Sequence, residues 1–166
     1  MDITAAPGVD ARVDLRRGLP LADDSVDCIA AIHVLQDLAW PDIRPVLEEL
    51  HRVLKRGGVL RLALPDLDKA IDAYRAGDGG YFYVPDEHAR SVGAKLVTQI
   101  TWYGSVRTPF TFDCIAEWLE AAHFAGIRRA KFGESSIDGL AQLDNRERET
   151  LFVEAVKRAR AAQQLA

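Results

Sequence analysis

A few side chains in this sequence have the type and setting to do chemistry. His33 interrupts the longest apolar run, Cys28 to Leu35. A histidine there either packs as a core residue, touches a ligand, or passes a proton, because its charge changes near neutral pH. Two carboxylates, Asp2 and Asp14, stand beside short extended pieces of chain. Asp2 is either a frayed terminal acid or a ligand contact. Asp14 is either a turn acid ahead of Arg16 or an acceptor for a ligand's donors. The aromatics Tyr81, Phe82, Tyr83, Trp102 and Tyr103 gather in one irregular stretch. They either line an acceptor pocket or pin a long loop to the core. Asp66 follows Pro65 and suits a helix N-cap. Cys28 and Cys114 lack metal-ligand spacing and read as small apolar residues, so no metal site is expected.

The elements that would position these residues alternate between strand and helix. Met1 to Ile3 reads as the end of a strand and Arg12 to Leu15 as a second extended piece. Val26 to Val34 is apolar with little alternation, as in a strand covered on both faces. Ile43, Val46, Leu47, Leu50, Val53 and Leu54 form one stripe of helical period. Asp42 falls in that helix's first turn, Lys55-Arg56 in its last, and Gly57-Gly58 at its end. Val59 to Leu64 is the next strand, Asp66 to Ala76 a helix, and Arg90 to Ile100 a further helix. Asp113 to Ala125 is amphipathic, with Gly126 as its cap. Ile127 to Phe132 and Leu151 to Val156 are the last strands, joined by a loop from Gly133 to Asp144. The expectation is an α/β sandwich with a mostly parallel sheet and an antiparallel C-terminal strand. Its domain would run over 1–157, with 158–166 a polar tail.

The composition bounds the rest. A chain of 166 residues, 48% hydrophobic and 28% charged, is ordinary for one globular domain. Lys plus Arg number 21 against 25 Asp plus Glu, a net charge of −4. That balance argues against a nucleic-acid partner. No apolar run is long enough to span a bilayer, and the N-terminus lacks the pattern of a signal peptide. Two cysteines without a framework fit a reduced, cytoplasmic setting.

Seven segments taken in order resemble a known family. They are Val13 to Leu21, Asp24-Ser25-Val26-Asp27, Ile32-His33-Val34-Leu35, Leu50 to Leu60, Leu64-Pro65-Asp66-Leu67 and, near the C-terminus, Ala122 to Ile127 with Phe152-Val153-Glu154-Ala155. Together they are similar to the class I S-adenosylmethionine-dependent methyltransferases, most of all the small type 11 group. The resemblance implies a Rossmann-like methyltransferase sandwich with strand order three, two, one, four, five, seven, six. It implies S-adenosylmethionine (SAM) as cofactor and in-line methyl transfer to a small-molecule or glycan-type acceptor. Asp2 would hold the ribose and Asp14 the adenine amino group. Leu15 would touch the adenine face, and Ile32 and His33 would line the methionine end. Tyr81, Tyr83, Trp102 and Tyr103 would form the acceptor pocket. The catalytic residue is unknown, His33 being the one weak candidate.

The family's first strand and glycine-rich loop have no counterpart, so the expected domain is N-terminally truncated. Gln36-Asp37 stands where the family often has Glu-His, and Thr108-Pro109 where it often has a histidine. Three readings follow: a methyltransferase, a non-catalytic methyltransferase-like scaffold, or another nucleotide-binding α/β protein. No dinucleotide glycine fingerprint supports the third. The missing central strand would leave an open edge, to be covered by a second copy in a homodimer.

Overall fold

The computed structural model describes residues 1–2 and 7–158. Of the expected tail, 159–166 lies outside the described residues, as does Ile3 of the first extended piece. Four strands form one sheet in the order β1-β2-β4-β3. They are β1 (Val26–Ile32), β2 (Leu54–Pro65), β3 (Phe124–Ala130) and β4 (Thr150–Lys157). β1 and β2 pair in parallel, while β4 is antiparallel to both β2 and β3. Three strands therefore run one way and the C-terminal strand runs against them, as expected. The order matches strands four, five, seven and six of the resembling family. An isolated parallel bridge, Asp2 with Arg12, joins the two N-terminal extended pieces. Among the described residues no strand pairs with the outer edge of β1.

Helices α1 (Trp40–Val53) and α4 (Phe112–Ala121) cover one face of the sheet. The stripe Ile43, Val46, Leu47, Leu50 and Val53 is buried against Leu60, Leu62 and Leu64 of β2 and Leu151, Val153 and Ala155 of β4. Burying each such side chain contributes roughly 1.5–3 kcal/mol. The opposite face of β2 and β4 is not apolar at its centre. Arg61 is 0% exposed and donates to Asp144 at 2.7 Å and to Glu154 at 2.9 Å. Glu154 also takes Ser136 Oγ at 2.9 Å and Arg128 at 2.6 Å. This network holds the loop after β3 over the sheet. Removing one partner of such a buried pair costs roughly 3–5 kcal/mol.

Two helix ends differ from expectation. α1 stops at Val53 rather than at Gly57-Gly58. Its last carbonyls are taken from outside the helix: Arg52 O accepts from Asp24 N at 3.1 Å and Val53 O from Ser25 N at 2.8 Å. Leu54 then turns extended and pairs with Val26, so Lys55 and Arg56 leave the helix. Pairing resumes at Cys28 with Val59, and 55–58 form a bulge. Gly58 is fixed by space there, since a Cβ would lie 2.8 Å from Lys55 O and 2.9 Å from Asp27 O. α4 ends at Ala121, and the left-handed residue that follows is His123, not Gly126. Gly126 instead lies within β3, where the register with β4 shifts.

Two shorter helices, α2 (Leu67–Arg75) and α3 (Val92–Thr101), pack together beyond the C-terminal end of β2. Asp66 caps α2, accepting from Lys69 N, as its position after Pro65 predicts. No helix is long and apolar enough to cross a membrane among the described residues.

Candidate functional site

β1 ends at Ile32, and His33 takes a left-handed backbone (φ 53) while its amide still donates to Ala63 O at 2.9 Å. A non-glycine residue in that region costs on the order of 1 kcal/mol and marks a place worth attention. Two cavities meet there. His33 and Asp37 line both.

The first cavity, about 510 Å³, runs along the free side of β1. Its walls include Val26, Ile29 and Val34 from β1 and its exit, Leu50 of α1, and Val13, Leu15 and Leu19 from the N-terminal segment. That segment is pinned to α1. Glu49 accepts from Leu19 N at 2.6 Å, and Arg52 donates to Leu21 O at 2.9 Å. Asp2, Asp14, Leu15 and His33 all line this cavity, so four of the five positions expected for the cofactor are brought together. Ile32 lines neither cavity. Asp14 is already engaged. It caps the turn Leu15–Arg17 and takes Arg16 Nε at 2.9 Å and Nη2 at 2.8 Å, which holds its carboxyl below the usual range. The turn-acid reading describes its geometry.

The second cavity, about 290 Å³, lies over the exits of β1 and β2. Gln36 and Asp37 enter it from a short turn, Leu35–Asp37, after β1, and Asp66 from the start of α2. Tyr81, Tyr83 and Trp102 close it from the α2–α3 side. Tyr103, expected with them, lies outside it, with its hydroxyl 2.8 Å from His88 Nδ1. The closing segment is tied down where Arg107 N and Thr108 N donate to Gln36 O at 2.8 and 3.1 Å. Glu149 and Arg146 come from the approach to β4, whose first residue, Thr150, pairs with Pro65. Because β4 runs against β2, its beginning meets β2's end.

Of the six buried side-chain polar atoms without a hydrogen-bond partner among the described residues, five belong to this cavity: His33 Nε2, Gln36 Oε1, Asp66 Oδ2, Tyr81 OH and Glu149 Oε2. Buried polar groups are nearly always paired, so this concentration makes the cavity a candidate binding surface. Burial, reinforced by Arg146, holds His33 below its ordinary pKa and therefore neutral at pH 7. Burial and the neighbouring Asp66 and Glu149 push Tyr81 up to about 12, keeping its phenol protonated. Sequence reading missed Gln36, Asp66, Arg146 and Glu149 as site residues. The one signal available was Asp66's place directly after a strand. Among the described residues no His, Cys, Asp and Glu are grouped to hold a metal. A wider open groove of about 840 Å³ around His51 and Arg52 carries none of the sequence candidates.

A family model described as a methyltransferase domain matches residues 5–62, which hold β1, α1 and most of the first cavity's walls. No curated protein sequence matches the chain. Among solved structures, a SAM-dependent methyltransferase from Thermotoga maritima, described as a possible histamine N-methyltransferase, superposes with a TM-score of 0.53 at 17% identity, covering 86% of this chain and 61% of its own. A SAM-dependent methyltransferase from Archaeoglobus fulgidus gives 0.54 at 14%, covering 89% and 66%. The fold is a SAM-dependent methyltransferase fold. Human N-acetylserotonin methyltransferase, solved in complex with SAM, gives 0.51 at 18%, covering 90% of this chain and 33% of its own. The chain thus spans less than two thirds of the length of each of these methyltransferases.

SAM is the cofactor named for these structures of the same fold, and the first cavity of this chain fits it in chemistry. Its walls are apolar, as an adenine face requires, and Asp2 brings a carboxylate to the rim. His33 and Asp37 stand at the junction with the second cavity, where a reactive end would meet an acceptor.

Proposed function

We propose that the chain is a SAM-dependent methyltransferase that alkylates a small molecule held in the second cavity. The observation that carries this reading is the shared wall: one cavity suited to a nucleoside and one lined by unpaired polar atoms meet at His33 and Asp37. The second cavity's modest volume favours a small molecule over an extended glycan.

When bound, SAM supplies an electrophilic methyl that the acceptor's lone pair takes in line, the bonding electron pair staying on sulfur. The chain's own work is placement. Such positioning is worth roughly 7–11 kcal/mol of a barrier. Tyr81 and Trp102 exclude water over the acceptor, and Gln36, Asp66 and Glu149 orient its polar hydrogens. His33, neutral at pH 7, offers Nε2 to take the acceptor's proton. In this proposal Asp2 and Leu15 hold the nucleoside, while Asp14 serves the turn through Arg16.

Titration calorimetry with S-adenosylhomocysteine, the demethylated cofactor, tests the reading. No glycine loop cradles a cofactor among the described residues, and each backbone contact so lost is worth roughly 1–3 kcal/mol. Binding is expected to be weak, with Kd on the order of 0.1–1 mM, and to vanish in Leu15→Glu, which places a charge on the apolar wall. Absence of any binding by the wild type would favour the non-catalytic scaffold.

A further inference from the structure

We infer that the second cavity selects a small organic amine, bound as its ammonium against Asp66 and Glu149 and made nucleophilic when one N–H proton passes to His33 Nε2, the electron pair of that bond staying on nitrogen. This deepens the methyltransferase reading and rests on it for the amine's role as acceptor. The unpaired atoms are mostly acceptors. Asp66 is 3% exposed, and its Oδ1 is used by the Lys69 amide, while Oδ2 has no hydrogen bond. The nearest cation, Arg129, stands 3.6 Å from Oδ2 and is committed to Asp68 at 2.6 Å. Glu149 Oε2 is likewise buried and unpaired, and so is the amide oxygen of Gln36, a residue 6% exposed.

A ligand for these atoms must bring donor hydrogens. It must also bring positive charge. Two carboxylates face the cavity, a third, Asp37, stands at its junction with the first, and the one lining guanidinium, Arg146, is solvent-exposed. A neutral polyol would satisfy hydrogen bonds but leave Glu149, and the part of Asp66's charge that Arg129 at 3.6 Å does not offset, without a cation in the cavity, which is costly away from water. An ammonium has three donors and the right sign. Trp102 adds an aromatic surface for a cation, while Tyr81 and Tyr83, whose rings already carry the Arg148 guanidinium 5.7 and 4.1 Å from their centroids, add an apolar seat for its body. The cavity's modest volume sets the scale at a small amine.

Four probes of similar size separate the possibilities: tyramine, its alcohol analogue tyrosol, 4-hydroxyphenylacetate, and methyl glucoside. Each is titrated into the full chain, followed by the Trp102 indole resonance. Tyramine is expected to bind at least about tenfold more tightly than tyrosol, a difference of about 1.4 kcal/mol, with the carboxylate weakest. Asp66→Asn keeps the N-cap, since asparagine caps as well as aspartate, and should bring tyramine and tyrosol close to equal. Glu149→Gln, away from any cap, should do the same. Equal binding of tyramine and tyrosol, tighter binding of the glucoside or the carboxylate, an unchanged preference in both variants, or no binding by any probe overturns the inference. S-adenosylhomocysteine added to the same samples separates the two claims. Its binding without an amine preference sinks the amine alone, and an amine preference without it sinks the methyltransferase alone.

Discussion

His33 is where the two cavities join, and its ionisation is the residue-scale property most open to measurement. Desolvation and Arg146 lower its pKa, while a side-chain hydrogen bond with Asn145 and the charges of Glu149 and Asp37 pull the other way without prevailing. The folded state therefore resists protonation more than the unfolded chain does. As pH falls below the ordinary histidine value, the unfolded chain binds the proton first and stability declines until the folded pKa is passed. An NMR titration of the imidazole is expected to show a midpoint below 6.5, the unperturbed value. Arg146→Gln should move that midpoint up. A wild-type midpoint at or above the unperturbed value would remove the neutral base from the mechanism.

At the scale of elements, the turn from α1 into β2 decides where β1 and its exit stand. The bulge at 55–58 exists because α1's terminal carbonyls bind Asp24 and Ser25 while Leu54 pairs with Val26. Gly58 permits it by letting the Lys55 and Asp27 carbonyls approach. Gly58→Ala is expected to cost about 1–3 kcal/mol, the usual penalty of forcing an atom into filled space. Gly57→Ala meets no such neighbour but sits at φ 82, so its cost comes from backbone strain alone. Urea unfolding of the two variants checks this. A Gly58→Ala midpoint equal to wild type would mean that the turn yields.

At the scale of the whole molecule, the edge of β1 that no strand pairs among the described residues and the proposed cofactor cavity share one wall, because Val26, Cys28, Ile29, Ala30 and Ala31 line that cavity. An unpaired apolar strand edge is a template for another strand, and we propose that a second copy covers it. A domain stable by only ~5–15 kcal/mol has little room for several unpaired backbone groups. Sedimentation velocity at tens of micromolar is expected to show a dimer, with Ile29→Lys shifting it toward monomer. Because dimer and cofactor would use the same wall, S-adenosylhomocysteine should also weaken the dimer. A cooperative wild-type monomer at that concentration would sink the idea.

The sequence by itself determined the alternation of elements, the helical stripe of α1, the N-cap at Asp66 and the resemblance that named the fold. These are local facts: periodicity, capping and turn chemistry are written in neighbouring residues. It also expected Tyr81, Tyr83 and Trp102 at the carboxyl-end face, where they line the second cavity, because strand ends in open α/β sheets share one edge. It did not fix where α1 and α4 stop, since those ends were settled by pairing partners distant in sequence: Val26 for Leu54 and Lys157 for Phe124. Nor did it reveal Glu149, which reaches the site only because β4 runs antiparallel and begins where β2 ends. Asp14 shows the limit from the other side. Its type and place suited a ligand, but which of its possible donors it meets depended on how the chain turns, and the turn gave it Arg16.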